Sequence, residues 1–251
     1  MDKPDEWTDG KFGARLQAQI GDALASINFL YGRDFMPLFR LTGIETEVVS
    51  GQAIAHPTRY AYFPVRKMIG GMLAKELEFI PRIGGMNTPM FRMEWAYMWD
   101  CTFLTKDYSQ YVTRDDQRVA AVLETGIPIR ALNPSALFKV TAQYSVRHIT
   151  GVDPGYDNYV VTSEGPARKY NQNTMLAVTT FYWGARIQPI INWIQDWTND
   201  AYMLKSVLNY KYSDRWQHSI TALFVGGSKK GFSFEQFEHK DYIAYKIRYS
   251  F

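Results

Sequence analysis

The chain has 251 residues, a formal net charge of +3 and a single cysteine, Cys101. One cysteine excludes an internal disulfide, the small charge gives no argument for nucleic acid, and no apolar run of about eighteen residues offers a membrane-crossing helix. Aromatic residues reach 16% while the mean hydropathy is only −0.28, the combination that alternating strands with aromatic girdles produce.

Met1 to Trp7 has neither the basic n-region nor the apolar h-region of a secretory signal. Lys11 to Gln19 then alternates, with Phe12, Ala14, Leu16 and Ala18 against Gly13, Arg15, Gln17 and Gln19. A period of two predicts a strand with one face to oil and one to water. Past Gly21-Asp22 the pattern resumes through Ala23, Ala25, Ile27, Phe29 and Tyr31, making a hairpin. Asp34 to about Tyr62, with Pro37, Gly43, Gly51 and Pro57, reads as a long irregular loop.

A strand of mixed faces is expected from Lys67 to Phe79, then a turn from Pro81 to Pro89. Met90 to Cys101 sets Phe91, Met93, Trp95, Tyr97 and Trp99 against Arg92, Glu94 and Asp100. A helix would scatter that pattern around its surface. Thr102 to Asp116 reads as a polar loop, Gln117 to Thr125 as a strand, and Gly126 to Ser135 as a turn. Ala136 to Arg147 alternates again, with Phe138, Val140, Ala142, Tyr144 and Val146 opposite Lys139, Thr141, Gln143, Ser145 and Arg147. Burying Lys139 and Arg147 in a dry core is costly, whereas a wet lumen removes the cost.

Thr150 to Lys169 reads as another polar loop. Tyr170–Trp183 with Ile187–Trp197, and Tyr202–Tyr212 with Trp216–Val225, read as hairpins, although Pro189 removes one ladder donor. The last strand, Phe237 to Phe251, places Ile243, Tyr245, Ile247, Tyr249 and Phe251 on one face and Ala244, Lys246, Arg248 and Ser250 on the other. An aromatic-alternating strand closing on Phe looks like the assembly signal of outer-membrane barrels, a role assigned to Tyr245, Ile247, Tyr249 and Phe251.

The expected fold is all-β: an antiparallel up-and-down transmembrane β-barrel in a Gram-negative outer membrane, with about eleven strands present. Eleven is odd where bacterial single-chain barrels are even, and the signal is absent. Residues 1–10 are therefore expected to lie inside a longer protein, residues 11–251 to form the barrel part, and N-terminal strands to be missing. Phe91, Trp95, Tyr97, Trp99, Phe138, Tyr144, Trp193, Trp197, Tyr245, Tyr249 and Phe251 are expected to face outward. Arg15, Arg92, Glu94, Lys139, Arg147, Lys246 and Arg248 are the lumen-facing candidates, either lining a pathway or neutralising one another in a wet interior.

The histidines give no hydrolytic site: His56 and His239 read as loop residues, His218 shares a face with Trp216 and Ile220, and His148 faces away from Ser145. No metal-ligand spacing or phosphate loop is found, so neither a catalytic role nor a cofactor is expected.

Three segments carry a resemblance: Phe91 to Tyr97, Ala131-Leu132-Asn133-Pro134 through Gln143 to Ile149, and Lys240 to Phe251. They resemble a proteobacterial outer-membrane family catalogued as domain of unknown function thirteen-oh-two, over about Phe12 to Phe251. The resemblance implies the C-terminal part of a longer barrel, inserted by the barrel-assembly machinery. As partners it implies the outer-membrane bilayer, a periplasmic lipoprotein-like lipid carrier and an exporter of the resistance-nodulation type. Transport or hand-over of a hydrophobic, lipid-like small molecule is the first expectation. A non-conducting scaffold that docks the carrier or exporter through Gly84-Gly85 and Asn133-Pro134 is the second.

Overall fold

The computed structural model describes residues 10–50, 52–80, 83–153, 159–163, 165–228, 233–237 and 240–250. Its strands are β1 (Phe12–Ile20), β2 (Ala23–Arg33), β3 (Leu38–Val49), β4 (Gln52–Tyr62), β5 (Val65–Glu76), β6 (Met90–Thr105), β7 (Tyr111–Ile127) and β8 (Phe138–Ile149). They continue as β9 (Val160–Thr162), β10 (Gly165–Ala167), β11 (Tyr170–Thr179), β12 (Ile187–Asp196), β13 (Ala201–Lys211), β14 (Trp216–Gly227) and β15 (Tyr242–Tyr249). An antiparallel up-and-down path runs β1-β2-β5-β6-β7-β8-β11-β12-β13-β14-β15, with β9 and β10 appended to β6 and β3-β4 forming a separate hairpin. These eleven path strands are the ones the alternation indicates.

Among the described residues the sheet is not closed. No pairing joins β1 to β15 among the described residues, and every residue of both edge strands is exposed.

Five stretches differ from the sequence reading, four of them for a plain physical reason. The long loop expected from Asp34 is a hairpin, whose period is hidden by a bulge between Leu41 and Gly43. Pro57 is tolerated there because β4 has only one strand neighbour. The polar loop expected at 102–116 is instead the ends of β6 and β7 around a short turn. A second bulge, between Met98 and Cys101, breaks the alternation where Asp100 takes φ 54° and donates its N–H to Asp115 at 3.2 Å. In the loop expected at 150–169, β9 and β10 are three residues each, too short to show a period.

The fourth is β11, which stops at Thr179 rather than running to Trp183. Tyr182 and Ile187 exchange both backbone bonds, so the donor Pro189 lacks would have met Thr180. The ladder ends there, and the Thr180 hydroxyl donates instead to the Leu137 carbonyl at 2.9 Å. At the far end a 3-10 turn, Phe234–Phe237, precedes β15, so Phe237 is not in the strand. His239 and Phe251 lie outside the described residues.

One rim carries the long connections, 34–64 and 150–169, and the other carries tight turns such as 21–22 and 212–215. Densely packed apolar side chains sit at the long-connection rim. Phe103, Ile149, Val152, Val160 and Ala167 cluster there, as do Leu38, Leu104 and Val161. Burying such clusters stabilises by about 25 cal/mol per Å² of apolar surface, and here it holds β9-β10 and the foot of β3 to the ends of β6 and β7.

Candidate functional site

Residues paired across an antiparallel ladder share a face, so the register assigns every strand position to one of two surfaces. Leu16 pairs with Ile27, Ile27 with Gly71, Gly71 with Trp95, Trp95 with Val119 and Val119 with Val146. The same surface continues through Ala142, Leu176, Trp193, Leu204 and Phe224. It is apolar across the sheet and carries an aromatic belt at each rim. Phe12–Tyr31, Tyr97–Trp99 and His148–Tyr170 stack at 5.1, 6.3 and 4.7 Å at the long-connection rim. Trp216–Tyr249 and Tyr210–His218 meet at 4.7 and 6.2 Å at the other. Lys67 and Lys75 stand level with the belts, paired to Asp100 at 3.0 Å and Asp22 at 3.1 Å.

Phe91, Trp95, Tyr97, Trp99, Phe138, Tyr144, Trp193, Tyr245 and Tyr249 all lie on this apolar surface. Trp197 follows β12 in a turn and donates its Nε1–H to Thr174, on the same side, at 2.7 Å.

The opposite surface is polar over its first half. Arg15 pairs with Asn28, Asn28 with Gly70, Gly70 with Ala96, Ala96 with Arg118, Arg118 with Arg147 and Arg147 with Asn171. The adjacent row holds Gln17, Ser26, Met72, Glu94, Ala120, Ser145, Asn173 and Asp196. Over β12 to β14 it turns apolar through Ile190, Ile194, Met203, Val207, Leu223 and Val225, interrupted by Asn192 and Lys205. A cavity of about 750 Å³ lies against this surface, lined from Arg15 on β1 to Asp196 on β12. The sheet therefore curls around its polar side, and the belted side is convex.

All seven lumen-facing candidates lie on the concave surface. Arg15, Glu94 and Arg147 line the cavity, whereas Arg92, Lys139, Lys246 and Arg248 do not. Four are engaged in ion pairs: Arg92 with Glu94 at 3.2 Å, Lys139 with Glu124 at 2.8 Å, and Arg147 with Asp116 at 2.7 Å. Asp116 is 2% exposed and also accepts from Arg118 at 3.0 Å. It was read as the end of a loop, because the bulge opposite hides its place in the alternation. Asn171, Asn173, Asp196 and Asn199 also line the cavity and carried no motif. Asp196 folds its carboxylate back onto the N–H groups of Thr198 and Asn199 and the Asn199 amide, capping a turn.

Toward the long-connection rim the cavity narrows. Arg118 and Arg147 also line a second space of about 30 Å³, with Asp34, Arg66, Cys101, Thr162 and Ser163. Pro166 and Ala167 of the β9-β10 hairpin line the large cavity, so the hairpin lies across this end of the concave side. Asp34 and Arg66 form a further ion pair there. Beyond them, in the turn after β6, the Thr105 hydroxyl and then Ser109 bring the Asp107 carboxyl down from 3.8 to about 2.

Asn133, named above as a docking contact, is 1% exposed and spends its amide on the Thr180 hydroxyl at 3.0 Å and the Phe181 carbonyl at 2.8 Å. Its oxygen accepts from Ser135 and Ala136. The side chain organises the turn and is not available to a partner. No family model, curated protein or solved structure matches the chain.

Proposed function

We propose that the chain is the wall of an outer-membrane transport barrel, of the family that its sequence resembles, and that it passes an amphiphilic, lipid-like molecule along its concave side. The observation that carries this reading is the segregation of faces across eleven strands: a belted, apolar convex side, and a concave side that is polar over its first half and mostly apolar over β12 to β14. In water, an exposed convex surface bearing Leu16, Ile27, Trp95, Val119, Ile191 and Leu208 would drive aggregation. In a bilayer it is the solvated surface, with Tyr, Trp and Lys at headgroup depth. The split concave surface suits a solute with one polar end and an apolar body, since Arg118, Arg147 and Asn173 face it on one side and Ile194, Met203 and Val225 on the other. Passage past the long-connection rim requires the β9-β10 hairpin to move.

The test uses the tryptophans. Trp95, Trp99, Trp193 and Trp216 are all convex, so brominated phospholipid in reconstituted vesicles should quench most of the emission, Trp95 and Trp193 most strongly from bromines deep in the acyl chain. Emission quenched by aqueous iodide and untouched by brominated lipid would overturn the reading.

A further inference from the structure

A further cavity, of about 540 Å³, lies under the β3-β4 hairpin, between the foot of β3, the turn after β6 and the β9-β10 hairpin. Resting on the reading of the chain as the wall of a transport path, we infer that this rim cavity is a binding site for a small apolar molecule. The polar end of that molecule carries an oxygen acceptor and no positive charge.

The frame of the cavity is held by the protein's own contacts. Leu38, Leu104 and Val161 are 2%, 1% and 6% exposed, pack into one cluster and form the floor. The Leu41 N–H donates to the Tyr108 carbonyl at 2.9 Å, which clips β3 to the turn after β6. The Tyr108 N–H in turn donates to the Thr105 carbonyl at 2.9 Å. The volume falls within the range of small-molecule sites, about 300–1,000 Å³.

The walls, by contrast, are uncovered. Met36, Phe39, Leu41 and Tyr108 line the cavity, and each is more than a third exposed. Leu104 and Tyr108 lie past Trp99 along β6 and its turn, beyond the aromatic belt, so a bilayer around the convex surface stops short of them. An apolar ligand takes this surface out of water. The position also fits a solute's path. Thr162 and Ser163 line both this cavity and the 30 Å³ space, which shares Arg118 and Arg147 with the concave cavity.

Two charged residues set the character of the polar end. Arg59 pairs with Leu41 across the hairpin, lines the cavity, and has no side-chain partner among the described residues. Asp107, the acid of the lining, already accepts from the Thr105 hydroxyl and from the hydroxyl and N–H of Ser109. A cationic head would therefore meet Arg59 with the carboxylate engaged elsewhere. A hydroxyl, carbonyl or carboxylate oxygen accepts from Arg59 instead.

The experiment is photolabelling of the full chain in phosphatidylcholine vesicles with dodecanol bearing a diazirine at its chain end, mapped by mass spectrometry. Competitors in excess are plain dodecanol and dodecyltrimethylammonium, which share one tail. Adducts at Phe39, Leu41 and Tyr108 should disappear with dodecanol and persist with the cation, while adducts on the convex surface persist with both. Leu41→Trp should lower the displaceable adducts at Tyr108 by about fivefold or more, because ligand and indole compete for one volume. Ile54→Trp, nearer the tip of the same hairpin and outside the cavity, should leave them unchanged. Rim adducts that are absent, that dodecanol does not displace, that the cation displaces equally, or that Leu41→Trp leaves unchanged would overturn the inference. Bilayer insertion is read separately by lipid quenching. Insertion without displaceable rim adducts sinks the site alone, whereas displaceable rim adducts in a chain that does not insert support the site and sink the transport reading.

Discussion

Asp116 joins the wall to the cavity. It is buried between Arg118 and Arg147 on neighbouring strands, and Arg147 also faces the cavity. Removing one member of a buried ion pair leaves the other charge uncompensated, at a cost of about 3–5 kcal/mol. Asp116→Ala should lower the unfolding free energy by about 1–3 kcal/mol in denaturant titrations, less than the full amount because Arg118 is partly exposed; no measurable change would mean that water already solvates the arginines. Asp107 is fully exposed and acts through hydrogen bonds instead. Its folded value, about 2, lies below the ordinary 3.8, so the turn's extra stability is present above about pH 4 and is lost as pH falls through 2. Comparing Asp107→Asn with the native chain across that window should show a difference at neutral pH that vanishes in acid.

On the proposed reading each path strand of the sheet faces two solvents at once. Leu176 pairs with Ala142 on one side and Trp193 on the other, between the two belts on the convex surface. Leu176→Arg should cost about 2–4 kcal/mol at bilayer mid-depth, read as reduced folding yield in vesicles, while the same change at a belt position should cost little. A substitution tolerated equally at both depths would argue against a bilayer around this surface. The β9-β10 hairpin behaves differently, because Val160 and Ala167 anchor it to Phe103 and Ile149 rather than to a long ladder. Its three-residue strands give it few ladder bonds, so its hold on the sheet comes mostly from this apolar packing.

At the scale of the molecule the open edges dominate. The outward backbone groups of β1 and β15 have no ladder partner among the described residues, and in hydrocarbon each unsatisfied group costs several kcal/mol. We propose that further strands of a longer protein complete the wall. Hydrogen exchange of the chain in micelles should show outward amides of β1 and β15 exchanging fast while β6, β7 and β8 stay protected. Protection of both edges would show that they meet and that the chain closes on itself.

Alternation located most of the eleven path strands, because Phe91 to Trp99 or Phe138 to Val146 can satisfy a period of two in only one conformation; β5, with mixed faces, was placed by its position between turns. It also sorted Arg15, Arg92, Lys139 and Arg147 from the aromatic side, since the strand pleat is a local property. Where a bulge or a very short strand interrupted the period, at Asp100 and Val160, the sequence carried no usable signal, whereas Pro189 announced a lost ladder donor but not where β11 would stop. The cavity was not legible for a further reason. Arg15, Arg118, Arg147 and Asp196 are far apart in the chain, and only the register between strands and the curl of the sheet bring them to one wall. The sequence by itself determined which residues face which way; the tertiary structure decided which of them meet, because pairing register is a relation between strands and not a property of any one of them.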